Sequence, residues 1–187
     1  RPTARSAASA VGAGAEVRIV RGPGCGSYPD KGAGIPVGQA QEMFAAVKKE
    51  LAEHTPDTVI GVAAVGDWRP VEYSESKRKK EKGQDTLTIK LIKIPDILAY
   101  GGHSGLCSAV IGFAAETDNL AENARKKLDS KAADMIVVNP ASAIGSTQNQ
   151  ASFVTKNGIE AKELSSKAEL AEEIIEALAD LLKKRVI

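Results

Sequence analysis

Three apolar runs constrain the fold of this chain more than any other feature. "TVIGVAAV" (58–65), "AVIGFAA" (109–115) and "MIVV" (135–138) are each of strand length, and none alternates with polar residues. A strand wetted on one face alternates, whereas a strand covered on both faces reads as a continuous apolar run. All three are therefore expected to be inner strands of one sheet. Between the second and third, Leu120, Ala124 and Leu128 recur four apart and so share one face of a helix. Strand, helix, strand with both strands buried is the pattern of a parallel unit with a right-handed crossover.

The flanking segments fit the same class. "SAASAVGAG" reads as the end of a helix and "EVRIV" as a strand after it, so residues upstream of Arg1 are expected. A glycine- and proline-rich loop follows over 21–38, with Ile35-Pro36-Val37 as a short edge strand. Met43, Val47 and Leu51 mark a helix from Gln41 to about His54, and Pro56 blocks its continuation. "TLTIKLI" (86–92) alternates and predicts a half-exposed strand. Asn157-Gly158 predicts a hairpin with a type I′ turn. Ser166 and Glu169 form a capping box for a last helix carrying Leu170, Ile174, Leu178 and Leu181. The expected fold class is α/β: a Rossmann-like three-layer sandwich with a mainly parallel sheet, one domain over 1–187, and an inserted β flap over 71–93.

Composition narrows the function. A net charge of +1 over 187 residues gives no global basic field, which argues against nucleic acid as a partner. No apolar run approaches the ~18 residues that span a bilayer, so no membrane contact and a cytoplasmic location are expected. Cys25 and Cys107 lie far apart, and His54 and His103 are isolated, so neither a metal cluster nor a disulfide framework is expected.

Ligands of open parallel sheets bind at the carboxyl ends of strands. Three such ends carry polar residues here: Gly66-Asp67-Trp68-Arg69-Pro70, Ala114-Ala115-Glu116-Thr117-Asp118, and Asn139-Pro140. Asp67 and Asp118 are ligand contacts or simple turn caps. Lys127 and Lys131 project from one side of their helix, either as a solvated face or as two point charges for a phosphate chain. The flap, 71–93, holds seven basic residues (Lys77, Arg78, Lys79, Lys80, Lys82, Lys90, Lys93) against four acids. It is a solvated loop or a lid that orders over an anion. Neither the G-x-G-x-x-G fingerprint nor a G-x-x-x-x-G-K-[ST] loop is present, which argues against an alternative NAD(P)- or flavin-dependent oxidoreductase.

Taken in order, "GVAAVGDWRP", "SKRKKEKGQDTLTIKLIKIPDIL", "VIGFAAETDN", "ARKKLDSKAADMIVVN" and the pair Gly145 and Asn149 resemble the phosphopantothenate–cysteine ligase family. The resemblance implies a two-step ligation. The carboxylate of 4′-phosphopantothenate attacks the α-phosphate of CTP (ATP in the eukaryotic type) and releases pyrophosphate; the amine of cysteine then displaces CMP. It implies a role in coenzyme A biosynthesis, Mg²⁺ carried with CTP, a homodimer whose flap helps build the neighbour's substrate site, and a flavin-dependent decarboxylase fused upstream. By position it implies nucleotide contacts at Ala63, Asp67, Lys77, Lys93, Ile94, Pro95, Asp96, Phe113, Lys127 and Lys131, with Lys77 also catalytic. The family's K-N-P-D stands here as Lys93-Ile94-Pro95-Asp96, and its asparagine-bearing S-N-H-S-S-G loop would lie upstream of Arg1. A nucleotide-binding module without turnover is the second reading.

Overall fold

The computed structural model describes residues 2–25, 33–72, 76, 85–116, 119–140 and 148–185. Helix α1 (Pro2–Gly12) leads to β1 (Arg18–Arg21) and β2 (Ala33–Pro36), and α2 (Ala40–His54) precedes β3 (Thr58–Gly61). Strands β4 (Trp68–Pro70) and β5 (Leu91–Lys93) form a ribbon at the base of the flap, followed by α3 (Ile97–Ser104). Then come β6 (Ala109–Glu116), α4 (Leu120–Ser130) and β7 (Met135–Pro140). The chain closes with β8 (Gln148–Asn149), β9 (Ser152–Thr155), β10 (Gly158–Ala161), β11 (Ser165–Ser166) and α5 (Lys167–Lys183).

Five strands make the main sheet in the order β10-β9-β7-β6-β3, with β3, β6 and β7 parallel and β9 antiparallel to both of its neighbours. Alternation along β6 splits the core between two faces. Val110 and Ala114 pack with Ala124 and Leu128 of α4, while Ile111 packs with Leu170 and Ile174 of α5. Helix α1 lies against α5. Each such fully buried aliphatic side chain stabilises the fold by roughly 1.5–3 kcal/mol relative to exposure. Three layers result, as the sequence implied.

Local chemistry fixes the helix ends. At α2 the Glu42 carboxylate accepts the Gly38 and Gln39 N–H groups at 2.7 and 3.2 Å. At α5 the Ser166 N–H donates to Glu169 at 2.7 Å and the Ser166 hydroxyl accepts the Glu169 N–H at 3.2 Å, the box expected from the sequence. Helix α3 lies close on its neighbours only because glycines line its contacts. A Cβ at Gly112 would meet Leu98 at 2.5 Å, and one at Gly102 would meet the Ala132 carbonyl at 2.7 Å.

Four expectations are corrected. Strand β3 ends at Gly61 rather than Val65, and it is half-buried because it forms the edge of the five-stranded sheet. Of 86–92, only Leu91 and Ile92 pair, with β4; residues 85–90 have no regular structure, and Leu87 and Ile89 are exposed. The short strand near Ile35 is Ala33–Pro36, and it runs parallel to β1 in a sheet of their own. The β9–β10 hairpin forms, but its two-residue loop is Lys156-Asn157 and neither residue has a positive φ, so the turn is not type I′. Gly158 takes the positive φ of 148° instead.

Candidate functional site

Behind the carboxyl ends of β1, β2 and β3 lies an open cleft of about 510 Å³. Pro23 and Cys25 close one side, Gln39 and Met43 of the α2 entry another, and the segment from Val62 to Gly66 the third. The early end of β3 explains the cleft. Had the apolar run stayed in the sheet to Val65, its backbone would be spent on ladder bonds and the space would be filled. Small residues make most of the wall, so a ligand there meets main-chain N–H and C=O groups, which suit a nucleobase or a planar amide.

Ala63 lines this cleft, and Asp67 follows Gly66 at its rim with an exposed side chain. The Asp67 carbonyl accepts the Ile94 N–H at 2.8 Å, tying the rim to the segment from Lys93 to Asp96. Within that segment Lys93 and Pro95 are exposed, and Ile94 is buried, so its main chain rather than its side chain faces the rim. Asp96 caps α3 by accepting the Ala99 N–H at 2.9 Å. It also pairs with Lys131, 35 residues away. Burial opposes ionisation of Asp96, but the hydrogen bonds from Lys131 and Ala99 and the charges of Lys131 and Lys93 outweigh it. The carboxyl is held below its usual range.

Lys127 lies one turn before Lys131 and is half-buried. Because α4 runs back from β6 to β7, its last turn lies toward the start of β7 and away from the carboxyl edge; only the length of the Lys131 side chain brings its ammonium to Asp96. Phe113 lies on the opposite face of β6. With Asn139, the buried Ser6 and Lys167 it lines a pocket of about 10 Å³ against α5. The expected convergence of lysines on one pocket is therefore only partly realised. Lys131 pairs with Asp96 and the charge of Lys93 is felt there, but among the described residues no lysine lines the large cleft. Lys77, Thr117, Asp118 and Gly145 lie outside the described residues.

Two contacts had no sequence signal in spacing. Arg69 of β4 grips the Gln41 amide oxygen with two guanidinium nitrogens, one at 2.6 Å, once those donors orient the amide. This fastens the ribbon to the helix that enters the cleft. Lys167 was visible only as the residue after a capping serine.

A model of the DNA/pantothenate metabolism flavoprotein C-terminal domain matches residues 4–182. The coenzyme A biosynthesis bifunctional protein CoaBC of Vibrio vulnificus is 36% identical over 181 residues, 94% of this chain and 45% of that protein. The CoaBC of Escherichia coli K12 is 41% identical over 140 residues, 73% of this chain and 34% of that one. The chain thus spans less than half the length of these curated relatives. In solved structures, the C-terminal domain of CoaBC shares the fold with a TM-score of 0.80 at 33% identity, over 98% of this chain and 83% of that chain. A Cab2 mutant in complex with phosphopantothenate-cysteine has a TM-score of 0.68 at 17% identity, over 84% of this chain and 56% of that one. By sequence and by fold, the chain belongs to the family of the DNA/pantothenate metabolism flavoprotein C-terminal domain, the synthetase part of CoaBC that its motifs resemble.

Proposed function

We propose that this domain joins 4′-phosphopantothenate to cysteine in coenzyme A biosynthesis, through an acyl-nucleotide formed from CTP. The observation that carries the reading is its 36% identity, over 94% of its length, to proteins named for coenzyme A biosynthesis. The site chemistry supports it. In the first step the substrate carboxylate forms a bond to the α-phosphorus and pyrophosphate leaves. In the second, the cysteine amine forms the amide bond, loses its proton, and CMP leaves. Both steps need positioning and charge stabilisation rather than a nucleophilic side chain. The cleft offers main-chain groups at Ala63, the rim offers Asp67, and Lys93, Asp96 and Lys131 make a charged cluster beside it. Ile94 and Pro95 position that cluster through the Asp67 bond, Lys127 adds a cation on α4, and Phe113 is the contact on the α5 face. Lys77, from the flap, is the catalytic cation.

Among the described residues no group of three or more His, Cys, Asp or Glu could hold a metal ion, so no protein metal site is assigned. Mg²⁺ is proposed only as the counter-ion carried by the nucleotide's phosphates. Association with a flavin-dependent decarboxylase domain fits the bifunctional relatives, and a cytoplasmic location fits the pathway. No helix among the described residues is long and apolar enough to cross a membrane. A homodimer built through the ribbon fits the exposed Trp68, Leu91 and Ile92.

The test follows pyrophosphate release by the full-length protein with 4′-phosphopantothenate, cysteine, Mg²⁺ and either CTP or ATP. Release with CTP, greatly slowed in Lys77→Gln, is expected. Nucleotide binding without release would leave the non-catalytic module as the correct reading.

A further inference from the structure

Two walls of the large cleft belong to different parts of the chain. One is the entry of α2, with Gly38, Gln39, Ala40 and Met43; the other is the segment 62–66, which runs on through Asp67 into β4. No ladder bond joins them among the described residues, because β4 pairs with β5 and α2 is a helix. Arg69 spans the gap. Alternation along β4 leaves Trp68 and Pro70 exposed and turns Arg69, half-buried, to the other side of the ribbon. Its Nε and Nη2 both donate to the side-chain oxygen of Gln41, in the first turn of α2. Its Nη1 donates to the Pro70 carbonyl at 3.1 Å, which holds the guanidinium against its own strand. A rigid planar fork on one oxygen fixes direction as well as distance. The rim moves with this strap. Asp67, two residues before Arg69, accepts the Ile94 N–H at 2.8 Å, and the Val71 N–H donates to the Lys90 carbonyl at 2.9 Å. A ligand in the cleft touches both walls, so their relative freedom is lost on binding. A contact that removes that freedom beforehand lowers the cost.

We infer that Arg69 is a positioning residue for the ligation: acting through Gln41, it holds the wall 62–66 and Asp67 at a fixed separation from α2, so that the nucleotide meets a cleft whose walls are already in place. The inference deepens the ligase reading and rests on it for the identity of the ligand.

Full-length wild type, Arg69→Leu, Gln41→Leu and the double variant are compared in steady-state pyrophosphate release, varying CTP, 4′-phosphopantothenate and cysteine in turn. Each single variant is expected to raise KM for CTP about tenfold, with kcat and KM for cysteine changed by less than about twofold. The double variant should be no worse than either single one, because both remove the same contact. Gln41→Glu keeps an acceptor for the fork and should stay within about twofold of wild type. Effects that multiply to about a hundredfold in the double variant would mean that Arg69 touches the substrate itself, and overturn the inference. So would a KM for CTP within about twofold of wild type in both single variants, even with a lower melting temperature, or a rise confined to another substrate. If wild type releases no pyrophosphate, the ligase reading fails and the strap is read without ligand. Amide exchange at Val71 and Ile94 should then be about tenfold faster in both single variants and no faster still in the double one. Exchange at the wild-type rate overturns the strap as well.

Discussion

The β6–β7 pair and the β4–β5 ribbon are both rich in apolar residues, yet they meet opposite fates. Ile111 and Val137 are 0% exposed, whereas Trp68, Leu91 and Ile92 are 59%, 53% and 45% exposed. The difference is layering. Strands β6 and β7 have α4 on one face, supplied by the connection between them, and α5 on the other, supplied by sequence beyond β11. The ribbon leaves the sheet after the cleft; Trp68 and Leu91 share one of its faces and Ile92 the other, and no described element buries these side chains. Apolar content thus shows that a surface seeks burial. Whether the chain itself covers it depends on the elements that follow.

Ile111→Ala probes the buried side of this contrast and carries the largest expected effect. The cavity it opens lies between strands that cannot close over it, so a loss of about 4 kcal/mol in urea unfolding is expected. A loss under about 1 kcal/mol would mean that the sheet interior is loosely packed and the contrast unfounded. Next is Gly102→Ala. The added methyl meets the main-chain carbonyl oxygen of Lys131 most closely, and main-chain atoms of Ala132 at 2.7 and 3.0 Å, none of which can rotate away. Pushing α3 from the end of α4 should cost about 2–3 kcal/mol. Because α3 carries Asp96, KM for nucleotide should rise in the same variant.

The parallel unit was legible because its information is local: contiguous apolar runs, a four-residue period, and a capping box at Ser166 and Glu169. Strand β3 was overextended because an apolar run looks the same in a strand and in the wall of a cleft, as residues 62–65 show. The alternation over 86–92 was correct as a pattern, but pairing requires a partner, and β4 offers only three residues. The site was legible residue by residue and not as an arrangement. No spacing rule joins Asp96 to Lys131 across 35 positions. The direction of α4 does follow from the parallel crossover, and could have warned that its last lysine starts far from the carboxyl edge. So could the alternation along β6, which puts Phe113 with Ile111 and opposite Val110 and Ala114.

The Asp96–Lys131 pair sharpens the comparison at an intermediate scale. The folded carboxyl has a lowered pKa, so its stabilising contribution is complete above the usual aspartate range and is lost as the pH falls through the lowered value. Lys131→Met removes the principal cause of the lowering. Wild type should therefore melt above the variant near neutral pH, and the gap should close on acidification below about pH 4. A gap that stays constant to pH 2 would show that Lys131 stabilises by packing of its stem and not by charge.

The smallest stability effect is expected on the exposed side. Leu91→Ser trims a side chain that is 53% exposed, so the unfolding free energy measured at high dilution should change by less than about 0.5 kcal/mol. Self-association is the sensitive readout. If the ribbon packs on a second copy, as the homodimer proposal holds, the variant should sediment more slowly than wild type at the same micromolar concentration, and KM should rise as the neighbour's flap is withdrawn from the site. A loss above about 1 kcal/mol at dilution would place Leu91 in the monomer's own core and erase the distinction between the two regions. Unaltered sedimentation and kinetics would remove the ribbon from any interface. Its apolar face would then rank with the ordinary exposed hydrocarbon that folded proteins tolerate.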